Sequence, residues 1–126
     1  MSCLSIYHNP RCSKSRTALA YLEQNQSKYN YTIDVILYQK EPPTRVQLEK
    51  LSSYLGLTNK SVEEAPWKIL LRPDAQKLAS TWEEAYQLLE SDPKHLERPF
   101  IVEFKQGKAA LGRPDLTDVE ALVQNL

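Results

Sequence analysis

Cys12 stands among residues that could make its thiol chemically useful. Arg11 precedes it, Lys14 and Arg16 follow within one turn of sequence, and His8 lies four residues upstream. Residues 3–7 alternate as a short strand that runs into His8-Asn9-Pro10, a turn signal, and a helix is expected to start near Cys12 or Ser13. Ligand sites of open α/β sheets favour this carboxyl end of a strand. A thiol at a helix N-terminus meets unpaired amides and the positive end of the macrodipole, both of which favour its anion. The neighbouring cations act in the same direction, and the His8 ring would add to them if it reached the sulfur. The chemistry open to such a group is nucleophilic attack. The position equally suits a small, inert cysteine buried at a turn, and the local residues leave both readings open.

Other thiol chemistries fail on spacing. A dithiol redox site needs Cys-x-x-Cys, whereas the chain reads Cys12-Ser13-Lys14-Ser15. A phosphatase-like loop needs an Arg six residues after the cysteine, and Ala18 stands there. A zinc site needs about four soft or imidazole ligands. Cys3, His8, Cys12 and His95 are too scattered to supply them, so no metal is expected. Cys3 begins the first strand, away from the end that carries Cys12, and a disulfide between the two is not expected.

The elements that position Cys12 read as mixed α/β. The helix after Cys12 carries Ala18, Leu19 and Leu22 on one face. Residues 32–38 are rich in β-branched side chains and are expected to form a buried strand. Pro42-Pro43 breaks the chain, and Thr44 with Gln47 makes a capping box for a helix bearing Leu48, Leu51 and Leu55, with Gly56 as its stop. The stretch 61–91 reads as helical, with a second capping box at Thr81 and Glu84 and a face of Trp82, Ala85 and Leu89. Pro99 opens a strand over 100–104, Gly107 turns it, and 108–112 completes a hairpin. Leu116, Val119, Val123 and Leu126 mark a last amphipathic helix. The order βαβ, helical insertion, ββα predicts a thioredoxin-like fold with a mixed four-stranded sheet. A single domain over residues 1–126 is expected, with the insertion at about 44–95.

Bulk properties narrow the function classes. The hydrophobic share of 41% and charged share of 25% are those of a soluble globular chain. Sixteen basic residues balance sixteen acidic ones, which argues against general nucleic-acid or membrane-surface binding. No apolar run approaches the ~20 residues needed to span a bilayer, and a polar motif follows the N-terminus too soon for a signal peptide. The expectation is a cytoplasmic monomer. Trp67, Trp82 and most tyrosines are expected to pack, and His95 to lie at the surface.

The run Ile6-Tyr7-His8-Asn9-Pro10-Arg11-Cys12-Ser13-Lys14-Ser15-Arg16 resembles the signature of the glutaredoxin-dependent arsenate reductases. The likeness returns at Leu70-Leu71-Arg72, at Glu97-Arg98-Pro99-Phe100-Ile101-Val102 and at Leu111-Gly112-Arg113-Pro114, nearly end to end. The His-Asn-Pro-x-Cys-x-x-Ser-Arg string is specific, whereas Arg-Pro dipeptides alone carry little.

This resemblance implies that Cys12 is the nucleophile and that Arg72, Arg98 and Arg113 line an anion pocket. Forked guanidinium donors suit a tetrahedral oxyanion, so the implied chemistry is coherent. His8, Ser15 and Arg16 fall with Cys12 in the catalytic set. His8 would tune the thiol or bond the loop, Ser15 would serve the thiolate or cap the helix, and Arg16 would face the site or solvent. Asn9 is placed on the substrate side, bracing the loop. Pro99 is expected to be cis and to face Cys12. Pro73-Asp74-Ala75 departs from the family's usual continuation after Arg72. The implied activity is reduction of arsenate, or a similar oxyanion, to arsenite, with glutathione as co-substrate, glutaredoxin as partner and no bound cofactor. Two alternatives stand beside it. One is a related glutathione-dependent thiol oxidoreductase with another substrate. The other is a thioredoxin-fold protein-binding regulator, a branch that relies on a Cys-x-x-Cys switch missing here.

Overall fold

The computed structural model describes residues 2–126. In chain order its regular elements are β1 (Ser2–Tyr7), α1 (Ser13–Tyr29), β2 (Tyr31–Ile36), α2 (Arg45–Tyr54), α3 (Trp82–Ser91), β3 (Phe100–Glu103), β4 (Lys108–Leu111) and α4 (Thr117–Gln124). They divide into two compact units. One runs to Leu37 and resumes from Arg98 to Leu126; the other spans Tyr38–Glu97.

The first unit holds a four-stranded sheet of order β2-β1-β3-β4. β1 and β2 run parallel, with Leu4 opposite Ile33 and Ile6 opposite Val35, and α1 makes the crossover between them. β3 lies antiparallel to β1, with Tyr7 opposite Phe100, and β4 is antiparallel to β3. This is the thioredoxin-like arrangement. Its core follows from two periodicities. Leu4 and Ile6, two apart on β1, share a sheet face. Ala18 and Leu22, four apart on α1, pack against them with Ile101, Ala110, Val119 and Val123. Each large aliphatic side chain so buried contributes about 1.5–3 kcal/mol.

β2 departs from the sequence expectation. It ends at Ile36, and Thr32, Asp34 and Val35 are exposed. As the outermost strand it has one neighbour, and only Tyr31 and Ile33 turn toward the core. The β-branched run reports fit to a pleated surface, not burial on both faces. Near the far end of β1 the buried Glu103 carboxylate accepts the Cys3 N–H (3.1 Å) and the Lys105 N–H (2.8 Å). Cys3 itself is exposed.

In the second unit the Thr44–Gln47 capping box forms as expected, and Gly56, at φ 75°, takes the left-handed conformation just past α2. The sequence reads 61–91 as helical, but only α3 within it is α-helical, and the chain ahead of α3 is not a continuous helix. It is a series of short 3₁₀ turns at Leu57–Asn59, Val62–Glu64, Pro66–Leu70 and Pro73–Leu78. Pro66 and Pro73 lack the N–H that would continue a helix, so each starts a new turn. Only half of the second capping box forms. The Thr81 hydroxyl accepts the Glu84 N–H at 3.1 Å, but the Glu84 carboxylate turns to the Ser80 N–H at 2.7 Å. The Tyr86 hydroxyl, 3.1 Å from Ser52 Oγ, joins α3 to α2. Among the described residues no helix is long and apolar enough to cross a membrane.

Candidate active site

The loop from β1 to α1 is built by its own polar groups. The His8 N–H donates to the Ile36 carbonyl (2.8 Å), carrying the β1–β2 pairing one residue past the strand. The Cys12 N–H then closes a turn on the Asn9 carbonyl (3.0 Å), and Asn9 Oδ1 accepts the Arg11 N–H (3.0 Å). Cys12 is the N-cap of α1, with an extended backbone, and its carbonyl accepts the Arg16 N–H at 3.0 Å. No acidic residue occupies the first turn of α1, so nothing there offsets the positive helix end.

Ser15 lies fully buried beneath this loop. Its hydroxyl oxygen accepts the Asn9 N–H at 3.0 Å and sits 2.6 Å from His8 Nδ1. Burial pushes the His8 pKa below its usual range, the Arg16 charge pushes it the same way, and Glu23 opposes them. A neutral ring lets Nδ1 accept the Ser15 hydroxyl proton, an assignment that follows from the bonding pattern. The Ser15 side chain therefore serves His8 and Asn9, while its backbone N–H favours the Cys12 thiolate. Arg16 is exposed and donates from Nη1 to the Pro10 carbonyl at 2.9 Å, clasping the loop from outside.

A second stretch of chain supplies guanidinium groups. Arg113 Nη2 is 3.1 Å from Cys12 Sγ, and Arg113 Nε donates to the Arg98 carbonyl at 2.6 Å. Arg98 is buried, and its side chain, with that of Arg113, lowers the Cys12 pKa. The Arg98–Pro99 and Arg113–Pro114 peptides are both cis; the first matches the expectation for Pro99, and the second was not foreseen. The Gly112 N–H donates to the Pro99 carbonyl at 2.9 Å, and a Cβ on Gly112 would lie 2.8 Å from Pro99 Cγ. Glycine is needed there for close approach. Lys14 Nζ donates to the Pro114 carbonyl at 2.9 Å, tying the start of α1 to the Arg113 loop.

These contacts govern the thiol. Partial burial alone would raise the Cys12 pKa. The Ser15 amide, the hydrogen bonds from Arg113 and Arg98, and the Arg113 charge together outweigh it, so the pKa lies below that of an ordinary cysteine. The arrangement can stabilise a thiolate and offers guanidinium donors beside it for an incoming oxyanion.

A sequence model of the ArsC family matches residues 7–119. The chain belongs to the ArsC family. Among its ArsC relatives, an Escherichia coli protein described as uncharacterized, YfgD, is 37% identical over 116 residues, covering 88% of this chain and 89% of its own. A Neisseria meningitidis protein named arsenate reductase is 34% identical over 124 residues, covering 95% and 97%. The solved structure of an arsenate reductase from Vibrio cholerae superposes with a TM-score of 0.70 at 32% identity, covering 94% of this chain and 97% of that one.

Of the site residues expected from the sequence, His8, Asn9, Cys12, Ser15, Arg16, Arg98, Pro99 and Arg113 all lie in the first unit. Arg72 belongs to the second. It stands in the turn between two 3₁₀ segments, not in the helical stretch expected from sequence. Its N–H donates to the His95 carbonyl at 2.9 Å, and its Nε lies 3.9 Å from Asp74 Oδ1. Sequence reasoning missed Lys14 as a tether and the Arg98 carbonyl as the support of Arg113. Neither leaves a signal in residue type, because each acceptor is a backbone carbonyl.

Proposed function

We propose that this ArsC-family chain is an arsenate reductase that works through a single nucleophilic cysteine, Cys12. The observation that carries the reading is the Arg113 guanidinium 3.1 Å from the Cys12 sulfur. A forked cation against a thiolate suits a reaction in which an oxyanion must approach another anion. In the first step the Cys12 thiolate attacks arsenic(V), forming an S–As bond as an arsenic–oxygen bond breaks and the oxygen leaves, protonated, as water. Arg98 and Arg113 neutralise the oxygens that remain. His8, Ser15 and Asn9 hold the loop so that Cys12 meets the helix N-terminus, and Arg16 closes the loop from outside.

Reduction to arsenic(III) takes two electrons, and Cys12 has no second thiol in its loop. Glutathione supplies the attacking thiol, and glutaredoxin reduces the resulting protein–glutathione disulfide with a further glutathione. The balance is one arsenate and two thiols giving one arsenite, one disulfide and one water. No bound cofactor takes part. The same reading makes the protein a cytoplasmic monomer.

The test is NADPH consumption with arsenate, glutathione, glutaredoxin and glutathione reductase, comparing wild type with Cys12→Ser. Turnover that requires arsenate and vanishes in the variant is the expected result. No turnover from a protein whose Cys12 still alkylates readily would overturn arsenate as the substrate and leave a thiol oxidoreductase of another oxidant.

A further inference from the structure

The second unit contains an open groove of about 490 Å³, a volume in the range of small-ligand sites. Its lining includes Val62, Glu63, Trp67, Ser80, Trp82 and Glu83. Both tryptophans of the chain are here. Their ring centroids are 6.1 Å apart at 70°, an edge-to-face pair. Trp67 is anchored by its indole N–H, which donates to the Ala79 carbonyl at 3.2 Å. Val62, 65% exposed, stands at the rim. Nothing in the proposed reductase chemistry uses this groove.

Glu63 and Glu83 line the groove, each has a second glutamate as its chain neighbour, and its own lining holds no cation, whereas Lys68 and Lys77 line the adjoining hollow that shares Val62, Trp67 and Ser80 with it. The positive end of α3 is met by the Thr81 hydroxyl, which accepts the Glu84 N–H, and by the first-turn carboxylates. Glu83 is occupied by Arg45, with two contacts of 3.0 Å, so Glu63 is the lining carboxylate that faces the groove without that partner.

The aromatic file also shows what it accepts. Trp82 lies against Tyr86 at 5.6 Å, and the Arg45 guanidinium sits over the Tyr86 ring at 5.2 Å, held by Glu83 and Glu90. One end of the file thus already holds a cation between an aromatic face and carboxylates. At the Trp67–Trp82 end Trp67 is buried, 6% exposed, and the half-buried Trp82 is the more open ring, with Glu63 also in the lining.

We propose that this groove binds a small organic cation, its apolar body against Trp67, Trp82 and Val62 and its charged group beside Glu63. The site is independent of Cys12 chemistry, so failure of either reading leaves the other standing.

The test uses the full chain and choline as probe, with choline's uncharged carbon analogue as control. Both tryptophans line the groove, so intrinsic fluorescence reads it directly. Saturation-transfer NMR on the probe's methyl protons gives a second readout that does not depend on emission. Choline should saturate in both, with the uncharged analogue at least about five-fold weaker, the factor set by a cation–aromatic contact near 1 kcal/mol. Glu63→Gln, an exposed substitution, should weaken choline binding by a similar factor. No saturation in either readout, equal binding of the uncharged analogue, or unchanged choline affinity in Glu63→Gln overturns the proposal.

Discussion

Arg113 is aimed at Cys12 by its other nitrogen: Nε donates to the Arg98 carbonyl at 2.6 Å while Nη2 reaches the sulfur at 3.1 Å. Only a rigid fork can make both bonds at once. Arg113→Lys keeps the charge but loses one of them. Its kcat/KM for arsenate should fall about 10²-fold, the scale for removing one oriented donor from a developing anion. Near wild-type turnover in the lysine variant would show that charge alone suffices.

The Cys12 thiol should alkylate with a midpoint below the ~8.5 of a free cysteine. Burial opposes ionisation, but the Ser15 amide and the two arginines override it. Arg113→Ala should move the midpoint up. Because the folded-state pKa is the lower one, the unfolded chain holds the extra proton between the two values. The thiolate therefore adds stability that is fully present above the unfolded value and is lost as pH falls through the folded one. A wild-type midpoint at the free value refutes the activated thiol.

His8 makes a second pH prediction. Burial, then Arg16, lowers its pKa in the folded state, with Glu23 in opposition. From the ordinary ~6.5 down to the folded-state value, the unfolded chain binds more protons, so stability drops as the solution is acidified. Denaturant titrations at about pH 8 and about pH 5 should show a smaller acid loss in His8→Gln than in wild type. Parallel losses in the two proteins would remove His8 from the account.

Ser15→Ala leaves the Asn9 N–H and His8 Nδ1 without their shared partner. An unsatisfied buried group costs about 1–3 kcal/mol, so the melting temperature should fall by several degrees. The Ser15 backbone N–H survives this change, and the alkylation midpoint should move less than in Arg113→Ala. A larger shift in Ser15→Ala would mean that the hydroxyl acts on the sulfur itself.

Gly112→Ala tests the support behind the arginines. The new methyl would meet the Pro99 ring at 2.8 Å, and a proline ring cannot turn aside as a flexible side chain does. Overpacking of this kind costs about 1–3 kcal/mol. The variant should melt several degrees lower and lose activity together with stability. An unchanged melting curve would mean that the loop has slack.

Much of this was legible in the residues, for specific reasons. The β1 pattern, the start of α1 after Cys12, the Thr44–Gln47 box and the hairpin at Gly107 rest on local rules that tertiary contacts left intact. The expectation failed where a rule was silent on context. β2 carries the residues of a buried strand but stands at the sheet edge. The 61–91 stretch reads as helical, yet ahead of α3 Pro66 and Pro73 cut it into 3₁₀ turns. At the site, Cys12, His8 and Ser15 could be singled out because they lie in one short motif. The geometry that aims Arg113 could not, since it depends on a carbonyl and on the pairing that sets Phe100 opposite Tyr7.

The contact between Cys12 and Arg113 joins residues 101 positions apart in the chain. On a ribosome the cysteine emerges well before both site arginines. Until β3 pairs with β1, Cys12 has neither guanidinium to hold its charge, and only the Ser15 amide of its own loop favours the thiolate. Its full reactivity is thus acquired only once Arg98 and Arg113 have been made and placed, and the growing chain is spared the full nucleophile before it has a fold to contain it.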